Sequence, residues 1–444
     1  MSEQRRVDIR IPVLARVEGE GALDMSISAS GIDRLRLEIY EPPRLFEQFL
    51  VGRNAQDVLD MTARICGICP VAYQMSAVQA LESIYRVEPE PWALAMRRVF
   101  YCGEWLQSHA LHIHLLAAPD FFGCSNAVEL AQKAPEEVRR GLRLQALGND
   151  LIALFGARSV HPVGVQVGGF FHAPQPVLVA AMHERLEAAR ADAAALLRWT
   201  ATLPLPDDDQ DFVSVAMRDA VEYPLTRGRL VSSAGHDLGI DEFERHFEEL
   251  QAPYSTALHA RLDGQPYLVG PLARMNLNMD RLPPPLLALL DDAGVRFPSR
   301  NMFHSIIARA AEIWFAIDEA ARLLRDYERP DSPAVPATPR AGIGYGCSEA
   351  PRGILWHRYA TDTNGNVTEA RIVPPTSQNQ ARIEEDLRTS LTRFGLDRPD
   401  AELRLHGETV IRNYDPCISC ATHFLRLKVD RVVEEVKTKY KGEL

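Results

Sequence analysis

Two short cysteine pairs at opposite ends of the chain set the strongest limit on how it can fold. Arg64-Ile65-Cys66-Gly67-Ile68-Cys69-Pro70 stands near the front, and Tyr414-Asp415-Pro416-Cys417-Ile418-Ser419-Cys420-Ala421-Thr422-His423 near the end. Two residues between cysteines let both sulfurs converge on one centre, because a turn or helix start puts positions i and i+3 on one side. A single pair reads as a redox dithiol, half of a zinc site, or chance. Two pairs, each beside a Pro or Gly that bends the backbone, ask for a common explanation. The simplest is one four-thiolate metal site, which obliges the fold to bring the two ends of the chain together.

Composition narrows the class. A length of 444 residues is compatible with two or three domains and leaves room for a large core. Charged residues at 25% and aromatics at 7% describe an ordinary globular chain. The net charge of −11, with no basic cluster, argues against nucleic acid as a partner. The start Met1-Ser2-Glu3-Gln4-Arg5-Arg6 is polar with no apolar signal region. Apolar runs such as 177–182 fall far below the roughly 20 residues that span a bilayer. A cytoplasmic location without a membrane span is therefore expected. Seven cysteines, three of them isolated (Cys102, Cys124, Cys347), speak against a disulfide framework and for reduced thiols available to metal.

Along the chain, residues 7–40 alternate apolar and polar positions broken by Gly19, Gly21 and Gly31, which predicts a small antiparallel sheet. Its turn holds Arg16-Val17-Glu18-Gly19, where Glu18 taken alone reads as a solvated carboxylate. A short helix is expected within 44–53, a second from a cap at Asn54 through Met61, and a third over 71–85 directly after Cys69-Pro70. Pro suits a first helical turn, and the helix amino terminus would favour a thiolate beside it. A long periodic stretch runs from Pro91 to about Leu116 and contains His109, His112 and His114. The first two share a face and the third does not, so they read as packed or surface histidines before ligands.

Another helix is expected from Pro135 to Ala157, and His161 before Pro162 should lie in an extended loop. The middle reads as helices over 176–200, 283–293 and 302–327 separated by irregular segments, without a chemical motif. After a Pro-rich linker at 330–339, Asn364-Gly365-Asn366 marks a hairpin between 356–361 and 367–373. Val373 to Asn379 reads as a donor-rich loop before a helix to Phe394. The sum is a predominantly helical α+β chain, with a long-helix bundle core, a small N-terminal antiparallel sheet and peripheral β-hairpins.

Ligand type alone leaves zinc, iron, nickel and copper(I) open. Structural zinc sites keep their pairs within roughly 15–20 residues, since the metal staples a short loop. An iron–sulfur cluster would also accept four cysteines.

The two motifs, Arg-x-Cys-Gly-x-Cys-Pro and Asp-Pro-Cys-x-x-Cys-x-x-His, resemble those of the large subunit of nickel–iron hydrogenases. Arg16-Val17-Glu18-Gly19, Phe46-Glu47 with Gly52-Arg53, Arg158-x-x-His161-Pro162, Ala350-Pro351-Arg352-Gly353 and Pro375-Thr376-Ser377-x-Asn379 fall in the same order. Cys69-Pro70-Val71-Ala72-Tyr73, with Tyr where many members have His, is most similar to the cytosolic bidirectional, sulfhydrogenase-like branch that works with NAD(P) or a deazaflavin.

The resemblance implies that fold and the following roles. Cys66 and Cys417 are terminal nickel ligands, while Cys69 and Cys420 bridge nickel to an iron bearing cyanide and carbon monoxide. Arg352 stands over the iron's ligands, Thr376 or Ser377 donates to a cyanide, Pro375 walls the pocket, and His161 lies near a bridging sulfur, with a weaker claim for His109. Glu47, the carbonyl near Ile372, and His423 hold magnesium. The reaction is reversible heterolysis of dihydrogen, with Cys417 and Glu18 as the proton exit. No cysteines remain in an iron–sulfur pattern and no Gly-rich nucleotide turn is present. Clusters, flavin and NAD(P) therefore belong to partners, an iron–sulfur small subunit and diaphorase subunits. Residues 1–423 are expected to form one catalytic domain, and 424–444 an extension removed by a maturation endopeptidase after nickel chaperones have acted. A hydrogen sensor usually lacks that extension, and the related quinone-reductase subunit of respiratory complex I lacks the cysteines.

Overall fold

The computed structural model describes residues 7–422. The roles expected of His423 and of the extension 424–444 fall on residues outside that range.

The chain opens with β1 (Val7–Ile11), β2 (Gly21–Ser28) and β3 (Gly31–Ile39), an antiparallel sheet in the order β1-β2-β3. Alternation puts Ile9 and Ile11 of β1 and Leu35, Leu37 and Ile39 of β3 in the core. Next come α1 (Phe46–Leu50) and α2 (Ala55–Thr62), the latter capped by the Asn54 side chain, which accepts the Asp57 N–H at 3.0 Å. Then follow α3 (Pro70–Tyr85) and α4 (Pro91–Leu111), the second running on as a π-helical stretch (His112–Ala117) into α5 (Ala118–Phe121). The helical run over Leu116 is thus present, but its last part is wound wider than the pattern predicted.

After α6 (Ala127–Lys133) and α7 (Pro135–Gly156), the short pair β4 (Val165–Gln166) and β5 (Gly169–Phe170) leads to α8 (Pro176–Ala201). The stretch that follows is not merely irregular. It forms one sheet of β6 (Val215–Arg218), β7 (Arg229–Ser232) and β8 (Asp237–Leu238), then α9 (Phe243–His246) and a hairpin of β9 (Phe247–Gln251) and β10 (Leu258–Leu262). Strands this short carry too few residues for alternation to stand out. Helices α10 (Pro271–Asn278), α11 (Pro284–Asp292) and α12 (Ser305–Arg325) precede a sheet of β11 (Gly342–Ala350), β12 (Gly353–Thr361) and β13 (Val367–Val373). The chain closes with α13 (Pro375–Phe394), α14 (Asp400–Asn413) and α15 (Ile418–Ala421). Helix α13 begins at Pro375, so Thr376 and Ser377 sit in its first turn and not in a loop. A Pro at that position loses only an N–H that would have been unpaired anyway.

The core is a bundle in which α4 packs on α7 and α12, and α12 on α8, with Phe100, Trp105 and Ile313 fully buried. Helix α3 lies on β11. This approach is backbone to backbone. A Cβ at Gly346 would stand 1.9 Å from the Ser76 carbonyl oxygen, and one at Gly344 would stand 2.2 Å from that of Ala80. The strand ending at Ala350 is thereby locked to the helix that starts at the first cysteine pair.

Candidate metal centre

The two cysteine pairs meet in the interior. Cys66 Sγ lies 3.4 Å from Cys417 Sγ, Cys69 Sγ 3.5 Å from Cys420 Sγ, and Cys417 Sγ 2.9 Å from Cys420 Sγ. All four cysteines are buried and none is in a disulfide, with the sulfurs within 4.8 Å of one another. Four unbridged sulfurs at this spacing, shut away from water, are a donor set for a soft or borderline cation.

Local folding explains each position. The first pair follows the end of α2 and leads into α3, with Cys66 Sγ accepting the N–H groups of Ile68 at 3.2 Å and Cys69 at 3.3 Å. The amino terminus of α3 does not serve a thiolate. Its free N–H groups at Val71 and Ala72 go to the buried carboxyl group of Glu104, at 2.6 and 3.1 Å, which burial pushes well up in pKa against the pull of those two bonds. Cys69 therefore lacks the helix-end stabilisation expected for it, and burial pushes its thiol well up. Cys417 and Cys420 are raised by burial too. Burial works the same way on Cys66, but hydrogen bonds from the other three thiols and the nearby Arg352 charge bring it well below the ordinary thiol value. A divalent metal would stabilise the sulfurs as thiolates against burial.

The second pair is presented by the turn Asp415-Pro416, with Asp415 in the left-handed region at φ 55°. The turn at 16–20 presses against it. Ile418 N–H donates to the Glu18 carbonyl at 2.9 Å, and Glu18 and Cys417 form a parallel bridge. Gly19 makes this possible: at φ 89°, an added Cβ would lie 2.6 Å from Ile418 Cβ. The result carries Glu18 to the sulfur, its Oε2 3.1 Å from Cys417 Sγ and 3.1 Å from the Ser419 N–H. Burial and the Cys66 charge raise its pKa. The solvated reading of Glu18 is thus replaced by a half-buried carboxylate in hydrogen-bond contact with a cysteine.

Arg352 reaches in from the β11–β12 turn, donating to the Asp415 carbonyl at 2.7 Å and to Asp415 Oδ1 at 3.0 Å. Although burial opposes its charge, Asp415 and the cysteines hold it protonated. From α13, Thr376 Oγ1 accepts the Cys417 N–H at 3.0 Å, leaving its own proton to donate elsewhere. Pro375 is buried beside it, and the fully buried Ser377 hydroxyl has no protein partner. The Tyr73 hydroxyl is buried against the cluster, and its pKa is raised by burial and by Cys420. An orphaned hydroxyl such as that of Ser377 beside a sulfur-lined centre suits a metal that carries polar ligands of its own.

The remaining candidates are placed as follows. Glu47 Oε1 accepts the Ile372 N–H at 2.7 Å, so these two distant positions do meet. His161 is left-handed at φ 51°, not extended, with Nδ1 2.8 Å from the Ala63 carbonyl. That bond, together with Arg158 donating to the His161 carbonyl at 2.7 Å, bends the loop back onto the segment entering the first pair. His109, His112 and His114 are all packed, bonded to Glu312, to the Arg412 carbonyl and to the Ala110 carbonyl.

Sequence reasoning missed several supporting groups. Arg44 donates to the Ile65 carbonyl at 2.6 Å and also to the Ser419 carbonyl, stitching the two cysteine loops together. A buried ladder of charge continues behind Arg352. Asp415 faces Arg309 at 3.4 Å, Arg309 donates to His109 Nδ1 at 3.3 Å, and His109 Nε2 is 2.9 Å from Glu312. Arg274 then joins Glu312 at 2.7 Å to Glu349 at 2.9 Å. Burial lowers His109 to about 4, so its imidazole is neutral, while Arg274 offsets the effect of burial on Glu312 and brings it to about 2.

A family model described as nickel-dependent hydrogenase matches residues 44–143 and 239–423, a span that includes both cysteine pairs, Arg44, Glu104 and Arg352. The chain belongs to that family. It is a large catalytic subunit of the nickel–iron hydrogenase type, and its four clustered cysteines could hold a metal ion. The alpha subunit of sulfhydrogenase 1 from Pyrococcus furiosus is 31% identical over 435 residues, which is 94% of this chain and 98% of that one. The beta subunit of the NAD-reducing hydrogenase HoxS of Cupriavidus necator is 28% identical over 486 residues, covering 94% of both chains. An NAD+-reducing nickel–iron hydrogenase solved in the H2-reduced state superimposes with a TM-score of 0.83 at 28% identity, over 94% of this chain and 99% of its own. A nickel–iron–selenium hydrogenase from D. vulgaris Hildenborough shares the fold at a TM-score of 0.79 and 23% identity, over 94% of this chain and all of its own. Among the described residues no helix is long and apolar enough to cross a membrane.

Proposed function

We propose that this hydrogenase subunit splits dihydrogen reversibly and heterolytically at the four-cysteine centre, with the proton leaving through Cys417 and Glu18. The contact that carries the reading is the 3.1 Å approach of Cys417 Sγ to Glu18 Oε2. A sulfur that gains a proton needs an acceptor within hydrogen-bond reach, with an affinity brought toward its own, and a carboxylate raised by burial meets both conditions.

Cys66 and Cys417 would hold nickel alone, and Cys69 and Cys420 would share it with an iron carrying cyanide and carbon monoxide. Bound there, the two metals supply the redox centre and an open position for dihydrogen. Arg352 would keep a fixed positive charge beside the iron's ligands and donate to them, its other N–H groups being anchored on Asp415. Thr376, or the unpartnered Ser377, would donate to a cyanide, with Pro375 as a wall. His161 would act from behind the first pair. Glu47, the Ile372 carbonyl and His423 would hold magnesium. The carboxylate at the Ile372 amide supports this only in bringing the right groups together.

Electrons would pass to an iron–sulfur small subunit and then to flavin and NAD(P) on further subunits, with NADP favoured. The similarity to NAD-reducing enzymes supports a nicotinamide acceptor. The enzyme would work in the cytoplasm, residues 1–423 forming the mature catalytic unit once 424–444 is removed. Nickel and iron content of the purified complex, measured alongside dihydrogen-dependent reduction of NADP and NAD, tests the reading. Absence of nickel from a matured preparation would defeat the metal assignment. Reduction of NAD alone would defeat the NADP preference, and an active subunit whose mass still includes Leu444 would defeat the processing step.

A further inference from the structure

Among the described residues, one group besides the four cysteines brings three potential metal ligands together: His236, His246 and Asp263. We propose that it is a second metal site, binding a divalent transition ion of the zinc or nickel kind through two imidazoles and one carboxylate.

The three side chains come from three separate places, all held by backbone bonds. His236 sits in the turn between β7 and β8, where its carbonyl accepts the Ser232 N–H at 3.1 Å. His246 ends α9 immediately before β9, and Asp263 follows β10, so the Leu262–Phe247 pairing sets them side by side. The Asp263 N–H closes the arrangement by donating to the His246 carbonyl at 2.9 Å. Asp263 occupies the left-handed region at φ 47° and Gly264 at 80°, in a two-residue turn whose flanking residues Leu262 and Gln265 exchange both hydrogen bonds. Tight hairpin turns of this kind favour Asp-Gly, and they fix the direction of the carboxylate.

Within that frame, Asp263 Oδ2 lies 2.9 Å from His236 Nε2 and Oδ1 lies 3.2 Å from His246 Nδ1. Ligands about 2.0–2.1 Å from a tetrahedral ion stand roughly 3.3–3.4 Å apart, so the site needs only a small outward movement to admit one. The two rings meet edge to face with centroids 6.1 Å apart. Behind His236, the Ser232 hydroxyl accepts the Ala234 and His236 N–H groups at 3.2 Å and so donates to Nδ1 at 2.6 Å, which puts the ring proton on Nε2 toward Asp263; an ion bound at Nε2 would take the place of that proton. The carboxylate is 53% exposed, which leaves the far side of the ion to water.

Two nitrogens and a carboxylate without sulfur suit Zn2+, Ni2+, Co2+ or Cu2+ better than Mg2+ or Ca2+, which prefer all-oxygen shells. An ion here would tie the β7–β8 turn to the β9–β10 hairpin. Leu230, Phe247, Ala260 and Leu262 from those strands share one apolar cluster with Ile354 and Trp356 of β12, the strand that leaves the Arg352 turn. The ion would therefore act as a structural pin on the layer backing that turn.

The test uses the purified hydrogenase complex, treated with a chelator, equilibrated with a slight excess of Zn2+ and passed through gel filtration. Zinc counted by plasma mass spectrometry should be one equivalent higher per large subunit in wild type than in His246→Ala or Asp263→Asn. His183→Ala, which removes a partly buried histidine near Glu187 on α8, should retain the wild-type count. Zinc should also raise the melting temperature of the wild-type complex and not of the two site variants. Equal zinc in wild type and both site variants overturns the proposal, as does an equal loss in the His183 control or an equal thermal shift in all proteins.

Discussion

Replacement of Glu18 by Gln separates a proton acceptor from a structural brace. In the native arrangement Oε2 receives the Cys417 thiol and the Ser419 N–H, both at 3.1 Å, while the Glu18 backbone carbonyl receives the Ile418 N–H at 2.9 Å. The amide keeps an oxygen for Ser419 and leaves the backbone bond untouched. The structural loss is then a charged acceptor exchanged for a neutral one, about 1 kcal/mol, partly offset because a buried charge is removed. What the amide cannot do is take a proton. A positioned general base contributes about 10²- to 10⁴-fold, and turnover should fall by that factor at unchanged nickel and iron content. Glu18→Asp withdraws the carboxylate by about one C–C bond, roughly 1.5 Å. The backbone bridge to Cys417 prevents the main chain from following, so Asp should lie between Glu and Gln in rate. The assay is dihydrogen oxidation with an artificial electron acceptor, together with metal analysis and urea unfolding of the same samples. A fully metallated Gln variant that keeps more than about a tenth of the wild-type rate would refute the proton-acceptor role. A Gln variant whose lost activity tracks lost nickel would assign Glu18 to assembly instead.

Three further outcomes follow from the scaffold. Arg274→Met leaves Glu312 and Glu349 buried without their cation, and should cost about 3–5 kcal/mol in urea unfolding, whereas a change under about 1 kcal/mol would contradict the ladder's importance. Gly346→Ala drives a Cβ against the Ser76 carbonyl and should destabilise by about 3 kcal/mol or more; a neutral result would show that α3 and β11 can separate freely. Asp386, buried beneath the Tyr414 hydroxyl, is raised from 3.8 to about 6 chiefly by burial. Its folded form holds the proton longer than the unfolded chain does, so its contribution is full below about pH 4 and is lost as pH rises through 6, by about 3 kcal/mol in all. Unfolding of Asp386→Asn should lack this component, and a wild-type-minus-variant difference that stays flat between pH 4 and 7 would rule it out.

The parts of the site readable in the sequence are those whose chemistry is local. A Cys-x-x-Cys next to Pro states its own geometry, and the Pro-initiated helices at Pro70, Pro91, Pro135 and Pro176 begin where Pro can stand without losing a bond. Partners are harder to read than positions. The free amino terminus of α3 was legible as a site for an acceptor, yet its occupant is the carboxyl group of Glu104 from the next helix, raised by burial, and not the neighbouring cysteine. Nothing near Glu104 in sequence marks it out, because periodicity identifies a buried face without naming what that face meets. Arg44 is similar: it sits in a polar-looking segment, and only the meeting of two loops from opposite ends of the chain gives its guanidinium two carbonyls to hold.

The same distinction explains why the supporting charges lie so far apart along the chain. Arg352 must remain charged among buried sulfurs, and an isolated buried guanidinium is costly unless every donor has an acceptor. Asp415 meets that need, but as a buried carboxylate it needs cations in turn, and it draws on both Arg352 and Arg309. Each answer raises the next requirement, through His109 and Glu312 to Arg274 and Glu349, until Glu349 ends on the backbone N–H of Met217 in the small sheet of the middle region. The segment that showed no chemical motif thus terminates the ladder that begins at the metal centre. Its role is electrostatic closure, a property of three-dimensional pairing with no signature in local sequence.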